Sequence, residues 1–264
     1  MAFIYWNVRP ELFHFGPLVV RWYGLLFAVL FALGYFIVRW QFRLEHKDER
    51  GLDNLLVYLV IGTIIGARLG HCLFYDPGYY FRHPLEILQV WKGGLASHGG
   101  AAGVLLALYF YTRRHPDQPY LWLLDRLVVP TALAGSLIRL GNLFNSEILG
   151  HPTQLPWGFV FVRDNPVPRH PAQLYESVAY ALVFVVLLWI YHRLRARTPR
   201  GLLLGLFLVS GFTFRFGIEF LKERQAAYEQ NLPLSLGQWL SVPFILAGLI
   251  LLWRVWSARP KSGH

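Results

Sequence analysis

The chain has 264 residues, of which 55% are hydrophobic and 17% aromatic, and its mean hydropathy is +0.38. These values lie well above those of ordinary soluble domains and indicate a polytopic membrane protein. The formal net charge of +10 is interpreted as a topology signal and an attraction to anionic lipid head groups. Nucleic acid is a poor candidate partner, because no soluble segment interleaves basic and aromatic residues.

Seven windows are long and apolar enough for a helix that crosses a bilayer, which needs about 20 mostly apolar residues. In chain order they cover approximately residues 17–41, 53–75, 95–112, 121–145, 172–192, 201–222 and 236–256. The first is too long to be a cleavable signal peptide and carries Arg21 in its first turns, so we expect it to be retained as a helix. The sequence therefore predicts an all-α polytopic fold in which residues 1–264 form one membrane domain of seven transmembrane helices.

Lysine and arginine concentrate in alternate connections between these windows and after the last one. By the positive-inside rule these segments are cytoplasmic, which places the N-terminus outside and the C-terminus inside. The residues are Arg43, Lys47 and Arg50, then Arg113 and Arg114, then Arg193, Arg195, Arg197 and Arg200, and finally Arg254, Arg259 and Lys261.

The two longest connections, residues 76–94 and 147–171, fall on the outer side in this topology. Both are rich in proline, glycine, histidine and aromatic residues, and we expect them to form a small extracytoplasmic cap over the bundle. Within the second, the stretch GFVFV at 158–162 combines β-branched and aromatic residues, which favours a short strand or a hairpin arm.

The second window contains GTIIGARLG, which places Gly62, Gly66 and Gly70 on one helix face. This small-xxx-small spacing favours close helix packing in lipid. Cys72 is the only cysteine, so an intrachain disulfide or a cysteine metal cluster is excluded. A small buried apolar side chain is the favoured role for Cys72, and a reactive nucleophile is the alternative.

Ionisable side chains at membrane depth are costly, so each is a candidate functional residue. Arginine slightly outnumbers the acids among them, and the planar guanidinium is suited to holding a phosphate, which in a bilayer belongs to a phospholipid head group. No nucleotide loop, haem or iron–sulfur signature or HExxH motif is present, so no metal and no cofactor is predicted. The candidates are Arg21, Arg68, His71, His98, Asp125, Arg126, Arg139, Glu147, Glu176, Arg215 and Glu219.

The stretch IRLGNLFNSEILG ends the fourth window with polar residues. On a helix Arg139, Asn142 and Ser146 share one face, and Glu147 lies roughly 80° round from Arg139. A polar stripe of this kind lines a cavity or faces a partner helix.

Two further places carry candidate residues with open alternatives. Arg215 and Glu219 are spaced i, i+4, so Arg215 either pairs with Glu219 or is available to a ligand. In SHGGAAG, His98 precedes glycines that let a ligand come close to the backbone, with Gly99 and Gly100 as substrate contacts. His98 is either a general base or a hydrogen-bonded structural histidine.

These pieces resemble one family, the bacterial prolipoprotein diacylglyceryl transferases, over nearly the whole chain. Its signature is approximately Gly-Arg-x-Gly-Asn-Phe-x-Asn-x-Glu-x-x-Gly, and Arg139, Gly141, Asn142, Asn145, Glu147 and Gly150 fall in register. Further family-like segments follow in the expected order: RWYGL, GARLG, WKGGLASHGG, RHPAQLYE, FRFGIEF and SLGQWLSVP. The departures are Ile138 for the usual glycine, Leu143 for the usual phenylalanine, Arg21 where histidine is frequent and Ala101 where a larger apolar residue is common.

The resemblance implies transfer of the diacylglyceryl group of phosphatidylglycerol to the lipobox cysteine of a prolipoprotein in the bacterial inner membrane. We predict that Arg139 and Arg215 hold the lipid phosphate and that His98 removes the thiol proton. The outer loops, including RHPAQLYE, would receive the lipobox segment. Residues predicted to contact or orient the lipid are Tyr23, Arg68, Gly99, Gly100, Asn142 and Glu147.

Two other classes of protein remain as alternatives. A transporter or channel for an anionic lipid or metabolite would also place arginines in the membrane, although paired inverted repeats of broken helices are not visible in the sequence. A structural or partner-binding membrane protein would explain the glycines and aromatic residues, but not so many polar groups in one register.

Overall fold

The computed structural model describes residues 3–16, 18–223 and 233–258. Within these ranges the chain is mostly helical and also forms five short strands. The helices are α1 Trp22–Leu44, α2 Leu52–Phe74, α3 Pro77–Arg82, α4 Ser97–Arg114, α5 Tyr120–Phe144, α6 Ala172–Leu194, α7 Leu202–Ile218 and α8 Leu236–Ser257. The strands are β1 Ile4–Trp6, β2 Glu11–Phe15, β3 Leu18–Arg21, β4 Phe159–Phe161 and β5 Asn165–Arg169.

The chain divides into two compact units. The first unit comprises the described residues up to Glu45 and from Leu124 onward, and the second runs from His46 to Leu123. The basic residues Arg259 and Lys261, used above for the topology, lie outside the described residues.

Six of the described helices are long and apolar enough to cross a membrane: α1, α2, α5, α6, α7 and α8. Large apolar side chains such as Phe36, Val185 and Trp253 are exposed on their surfaces, as expected where lipid replaces water. The structure therefore has the composition and the helix lengths of a polytopic membrane protein. The third predicted window forms α4, which has 18 residues, begins with a glycine-rich turn and ends in two arginines; it is not among the six.

The first predicted window begins too early. Residues 18–21 form β3, which pairs antiparallel with β2, and α1 begins only at Trp22. The two valines of LVVR suit a strand, and Gly16 has a φ of +58° in the turn between the two strands, a conformation that favours glycine. The helix in the sixth window is also shorter than predicted. It ends at Ile218, and a 3₁₀ turn follows over Glu219–Leu221.

The core of the first unit is formed where α5, α6 and α7 pack together. Its buried apolar side chains are Val128, Val129, Ala132, Val183, Leu187, Tyr191 and Leu203. Asp125, which the sequence marked as a candidate functional residue, accepts hydrogen bonds from the backbone N–H groups of Gly201 and Leu204 at 2.6 and 2.9 Å. The carboxylate therefore caps the N-terminus of α7, a structural role.

Arg126 is a second charged candidate that proves to be structural. Its guanidinium is fully buried and binds the Glu45 carboxylate through two nitrogens, each at 2.9 Å. The Tyr191 hydroxyl donates to the same carboxylate at 2.8 Å. Both buried ions are thus paired and hydrogen-bonded, so neither charge is left alone in the interior.

A three-stranded sheet lies at the end of α5. Its order is β1-β4-β5, with β1 parallel to β4 and β4 antiparallel to β5. The strand predicted at 158–162 is therefore present as β4, whereas the pairing of the N-terminal β1 was not predicted. Trp6 anchors the sheet, because its indole N–H donates to the Leu143 carbonyl at 3.1 Å.

In the second unit, α2 and α4 pack closely through glycine. A Cβ at Gly66 would lie 2.7 Å from the Cα of Gly103, and one at Gly70 would lie 2.7 Å from the Cα of Gly99. Any side chain at these positions would push the helices apart. The glycine spacing in α2 is thus explained by packing.

Candidate active site

Arg139 lies on α5, in the first unit, and is held by two polar partners. Its Nε is 2.9 Å from Oε2 of Glu176, and its Nη1 donates to Oδ1 of Asn142 at 3.1 Å. The predicted common face of Arg139 and Asn142 is therefore present. The Arg139 side chain is 16% exposed, and no partner for Nη2 is found within the described residues. Part of the guanidinium thus remains available to a ligand.

The helix ends at Phe144, so Ser146 and Glu147 lie in a loop and not on the helical face predicted for them. Ser146 and Ile148 have φ values of +55° and +57°, a strained conformation for residues with a Cβ. Glu147 between them is exposed. Its carboxylate accepts hydrogen bonds from the amides of Asn145 at 2.5 Å and Asn142 at 3.4 Å. The 145–150 loop is therefore connected to Arg139 through Asn142.

Lys222 and Glu176 form a buried charge network that the sequence did not predict as a unit. The Lys222 ammonium is 2.9 Å from Glu176 and 3.1 Å from Glu219. Lys222 is 6% exposed and Glu176 is 1% exposed. Glu219 thus pairs with Lys222, and the i, i+4 ion pair between Arg215 and Glu219 is not formed in the described structure.

Arg215 has no carboxylate within ion-pair distance in the part of the chain that the structure describes. The Tyr180 hydroxyl is close enough to interact electrostatically with Arg215, Arg139 and Glu176. The Tyr180 ring lies against two glycines: a Cβ at Gly135 would be 3.0 Å from the ring and one at Gly211 would be 3.6 Å away. Gly135 lies one helical turn before Arg139, and Gly211 lies one turn before Arg215. Because neither glycine has a side chain, the Tyr180 phenol fits beside both arginines.

The charges of this region favour an anion. Three cations (Arg139, Arg215 and Lys222) and two carboxylates (the buried Glu176 and the partly buried Glu219) lie in this region, which leaves one positive charge in excess. Glu147 lies at the exposed margin, where amide N–H groups hold it. Guanidinium groups in a water-poor site bind phosphate strongly, because hydrogen bonding and charge act together.

Tyr23 on α1 joins the same region, as the sequence predicted. A Cβ at Gly141 would be 2.7 Å from the Tyr23 ring, so this glycine lets the ring rest on the backbone of α5. Glu147 and Arg139 are the charged groups that act on its hydroxyl.

Side chains of the segment RHPAQLYE, residues 169–176, make hydrogen bonds to the backbone of the 145–150 loop. Arg169 donates to the Gly150 carbonyl at 3.3 Å and pairs with Glu223. Gln173, which is fully buried, donates to the backbone carbonyl of Glu147. Burial, together with the nearby His151, lowers the pKa of His170. The side chains of this segment therefore hold the 145–150 loop, a role that the sequence interpretation missed.

In the second unit, the guanidinium of Arg68 is occupied by the backbone. It is 4% exposed and donates to the carbonyls of Glu86, Ile87, Gly93 and Gly94 at distances of 2.5 to 3.3 Å. Four of its five N–H groups have thereby found partners. Arg68 shapes the 86–94 segment, and the predicted substrate contact is not supported by its geometry.

His98 is exposed near the start of α4 in the second unit. Its ring stacks on Tyr75 with centroids 5.9 Å apart, and His71 stacks on the same tyrosine at 5.3 Å. The imidazole is therefore accessible and its plane is constrained. Gly99 and Gly100 face α2, with Gly99 against the Gly70 backbone. Close packing of α4 on α2 therefore explains these glycines better than the predicted contact with substrate.

Cys72 is 1% exposed within α2, in agreement with the packing role favoured above. Among the described residues, no group of three or more His, Cys, Asp or Glu side chains is arranged to hold a metal ion.

Six helices that are long and apolar enough to cross a membrane, with a buried network of arginine, lysine and glutamate, define the class of polytopic membrane proteins. The family model for prolipoprotein diacylglyceryl transferase matches residues 10–254. The chain belongs to this family.

Curated relatives agree with the family match over almost the full chain. A phosphatidylglycerol–prolipoprotein diacylglyceryl transferase of Tolumonas auensis is 51% identical, with 98% of this chain and 99% of the relative covered. Proteins of the same name from Chloroherpeton thalassium and Porphyromonas gingivalis are 50% and 47% identical. The alignment with the Chloroherpeton protein covers 96% of this chain and 94% of the relative. The alignment with the Porphyromonas protein covers 96% of this chain and 95% of the relative.

Proposed function

We propose that the chain transfers the diacylglyceryl group of phosphatidylglycerol to the lipobox cysteine of prolipoproteins, the first step of lipoprotein maturation. The family match over residues 10–254 supports this proposal, as do the names of relatives that cover the chain almost completely. The observation in the fold that carries it is the pair of arginines, Arg139 and Arg215, whose guanidinium groups are not fully neutralised by neighbouring carboxylates.

In this reaction the cysteine sulfur attacks the glyceryl carbon that bears the phosphate ester. A carbon–sulfur bond forms, the carbon–oxygen bond to the phosphate breaks, and glycerol phosphate leaves with the bonding electron pair. The thiol proton must pass to a base. The reaction therefore needs cationic donors at the departing phosphate and a proton acceptor near the sulfur.

We assign the first requirement to Arg139 and Arg215 and the second to His98. The free Nη2 of Arg139 and the guanidinium of Arg215, with Tyr180 beside it, would stabilise the charge that develops on the leaving phosphate. Tyr23, Asn142 and Glu147 would orient the head group and the arginine. His98 is accessible and has a ring nitrogen capable of taking a proton. His98 belongs to the other compact unit, so its assignment rests on the motif and on exposure.

We further propose that α4 is the seventh membrane span and that the sheet β1-β4-β5 belongs to an outer cap. The arginines at the end of α4 suit a cytoplasmic end, which would place the N-terminus outside and the C-terminus in the cytoplasm of a bacterial inner-membrane protein. Phosphatidylglycerol, membrane lipids and the lipobox segment are then the partners, and no cofactor is required.

A transporter for an anionic lipid is the second candidate, because the surplus positive charge would also suit a passage for anions. Incubation of the purified chain with phosphatidylglycerol vesicles and a lipobox peptide separates the two functions. The transferase adds one diacylglyceryl mass to the peptide, and a peptide with serine in place of cysteine gains none. A cysteine peptide of unchanged mass in the presence of folded protein contradicts the proposal.

A further inference from the structure

Three buried polar atoms around the 145–150 loop have no hydrogen-bond partner among the described residues. They are Oδ1 of Asn145, Oε1 of Gln173 and Nε of Arg169. Gln173 is fully buried and Arg169 is 9% exposed. Buried polar groups without a partner are destabilising, so native proteins provide a partner, a water molecule or a ligand for them.

The same three side chains fix the loop through their other polar atoms. The Asn145 amide donates to the Glu147 carboxylate at 2.5 Å, and the Gln173 amide donates to the Glu147 backbone carbonyl. Nη1 of Arg169 donates to the Gly150 carbonyl at 3.3 Å. Each side chain is therefore held in place and keeps one hydrogen-bonding atom unused.

The loop is coupled to the phosphate contact proposed above. Hydrogen bonds run from Arg139 to Asn142 at 3.1 Å, from Asn142 to Glu147 at 3.4 Å, and from Asn145 to Glu147 at 2.5 Å. In phosphatidylglycerol the hydroxyl groups of the head glycerol are only a few bonds from the phosphate. A lipid whose phosphate contacts Arg139 would thus bring its head group towards this loop.

The unused atoms are two acceptors and one donor, which suit the two hydroxyl groups of a glycerol head group: these can donate to both oxygens and accept from Nε of Arg169. A hydroxyl both donates and accepts, whereas the ammonium group of ethanolamine can only donate.

We propose that Asn145, Gln173 and Arg169 form a subsite that recognises the hydroxyl groups of the glycerol head group and so selects phosphatidylglycerol among membrane lipids. This inference rests on the transferase function proposed above. It gives the 145–150 loop a role in lipid selection, which is separate from the binding of the phosphate by Arg139 and Arg215.

The test compares two lipids of equal charge in one preparation of the full chain. Phosphatidylpropanol has the same phosphodiester and the same head-group carbon chain as phosphatidylglycerol but carries no hydroxyl. Initial rates of peptide lipidation give kcat/KM for each lipid, and their ratio is the selectivity. Because both rates come from the same preparation, a fold defect lowers them together and leaves the ratio unchanged. The variants are Asn145→Ala and Gln173→Met. The control is Asn165→Ala in β5, because Oδ1 of Asn165 accepts a local hydrogen bond from the Val167 N–H.

We expect the unmodified chain to prefer phosphatidylglycerol by about tenfold or more, because a site built to bind a hydroxyl strongly rejects an analogue that lacks it. Each of the two variants should lower this ratio at least severalfold, and Asn165→Ala should keep it. Lipidation with a ratio near one in the unmodified chain, or a ratio unchanged in both variants, overturns the subsite and leaves the transferase function standing. Equal use of phosphatidylethanolamine also overturns the subsite. Absence of lipidation with every lipid overturns the transferase proposal and this inference with it.

Discussion

Replacement of Glu176 by glutamine tests the buried charge network directly. Glu176 is 1% exposed and neutralises two cations, Arg139 and Lys222, each at 2.9 Å. A neutral amide keeps the size of the side chain but leaves both cations without their shared carboxylate. Loss of one partner in a buried ion pair typically destabilises a protein by about 3–5 kcal/mol, and we expect Glu176→Gln to fall in this range.

The double variant Glu176→Gln/Lys222→Met removes one anion and one cation together. Its destabilisation should be smaller than the sum of the two single variants by about 1–3 kcal/mol, because directly contacting residues couple. Glu219 loses its lysine in this variant, but it remains close to Gly237 at the N-terminus of α8, where the helix dipole stabilises a carboxylate.

The assay is reversible unfolding in mixed detergent micelles, followed by tryptophan fluorescence. Lys92→Met is the control: Lys92 lies 3.8 Å from Glu86 and is 57% exposed, so its loss should change the free energy of unfolding by less than about 1 kcal/mol. If the destabilisation of the double variant equals the sum of the two single variants, Glu176 and Lys222 are not coupled and the reasoning is refuted.

Three further outcomes follow from the packing and the hydrogen bonds. Gly66→Leu should abolish the close contact of α2 with α4 and lower the melting temperature measured in detergent, whereas Gly78→Ala should leave it unchanged, because nothing lies within 4 Å of that position. Tyr180→Phe should lower kcat/KM for lipidation severalfold, because its hydroxyl interacts electrostatically with Arg139 and Arg215, without a change in thermal stability of similar size. Arg68→Lys should accelerate amide hydrogen exchange in residues 86–94, because an ammonium group cannot bind four carbonyls in the geometry of a guanidinium.

Membrane helices were predictable from the sequence because the bilayer imposes a length and a composition. The limits predicted for the windows that became α2, α5, α6 and α8 differ from the observed limits by at most two residues. The predicted start of the first membrane helix was wrong, since the apolar residues 18–20 continue the hydropathy of the helix but form a strand that pairs with β2. Hydropathy alone does not distinguish these two cases.

Arg139, Asn142 and Tyr23 were predictable because they belong to local motifs, and the structure brings them into one region of the first unit. Lys222 was missed because its partner Glu176 lies 46 residues away on another element. The same reason explains Tyr180, whose position depends on glycines in two neighbouring helices. Buried arginine proved ambiguous in sequence, because Arg126 forms an ion pair with Glu45 whereas the N–H groups of Arg68 donate to backbone carbonyls.

The most direct test of the transferase account measures both products of one reaction. Purified chain is incubated with phosphatidylglycerol and a lipobox peptide, and the thioether-linked peptide and the released glycerol phosphate are quantified by mass spectrometry. The account predicts that the two products appear in equal amounts with the unmodified chain and that Arg139→Ala, folded to the same degree, forms neither. Equal turnover by Arg139→Ala, or peptide modification without release of glycerol phosphate, would contradict it.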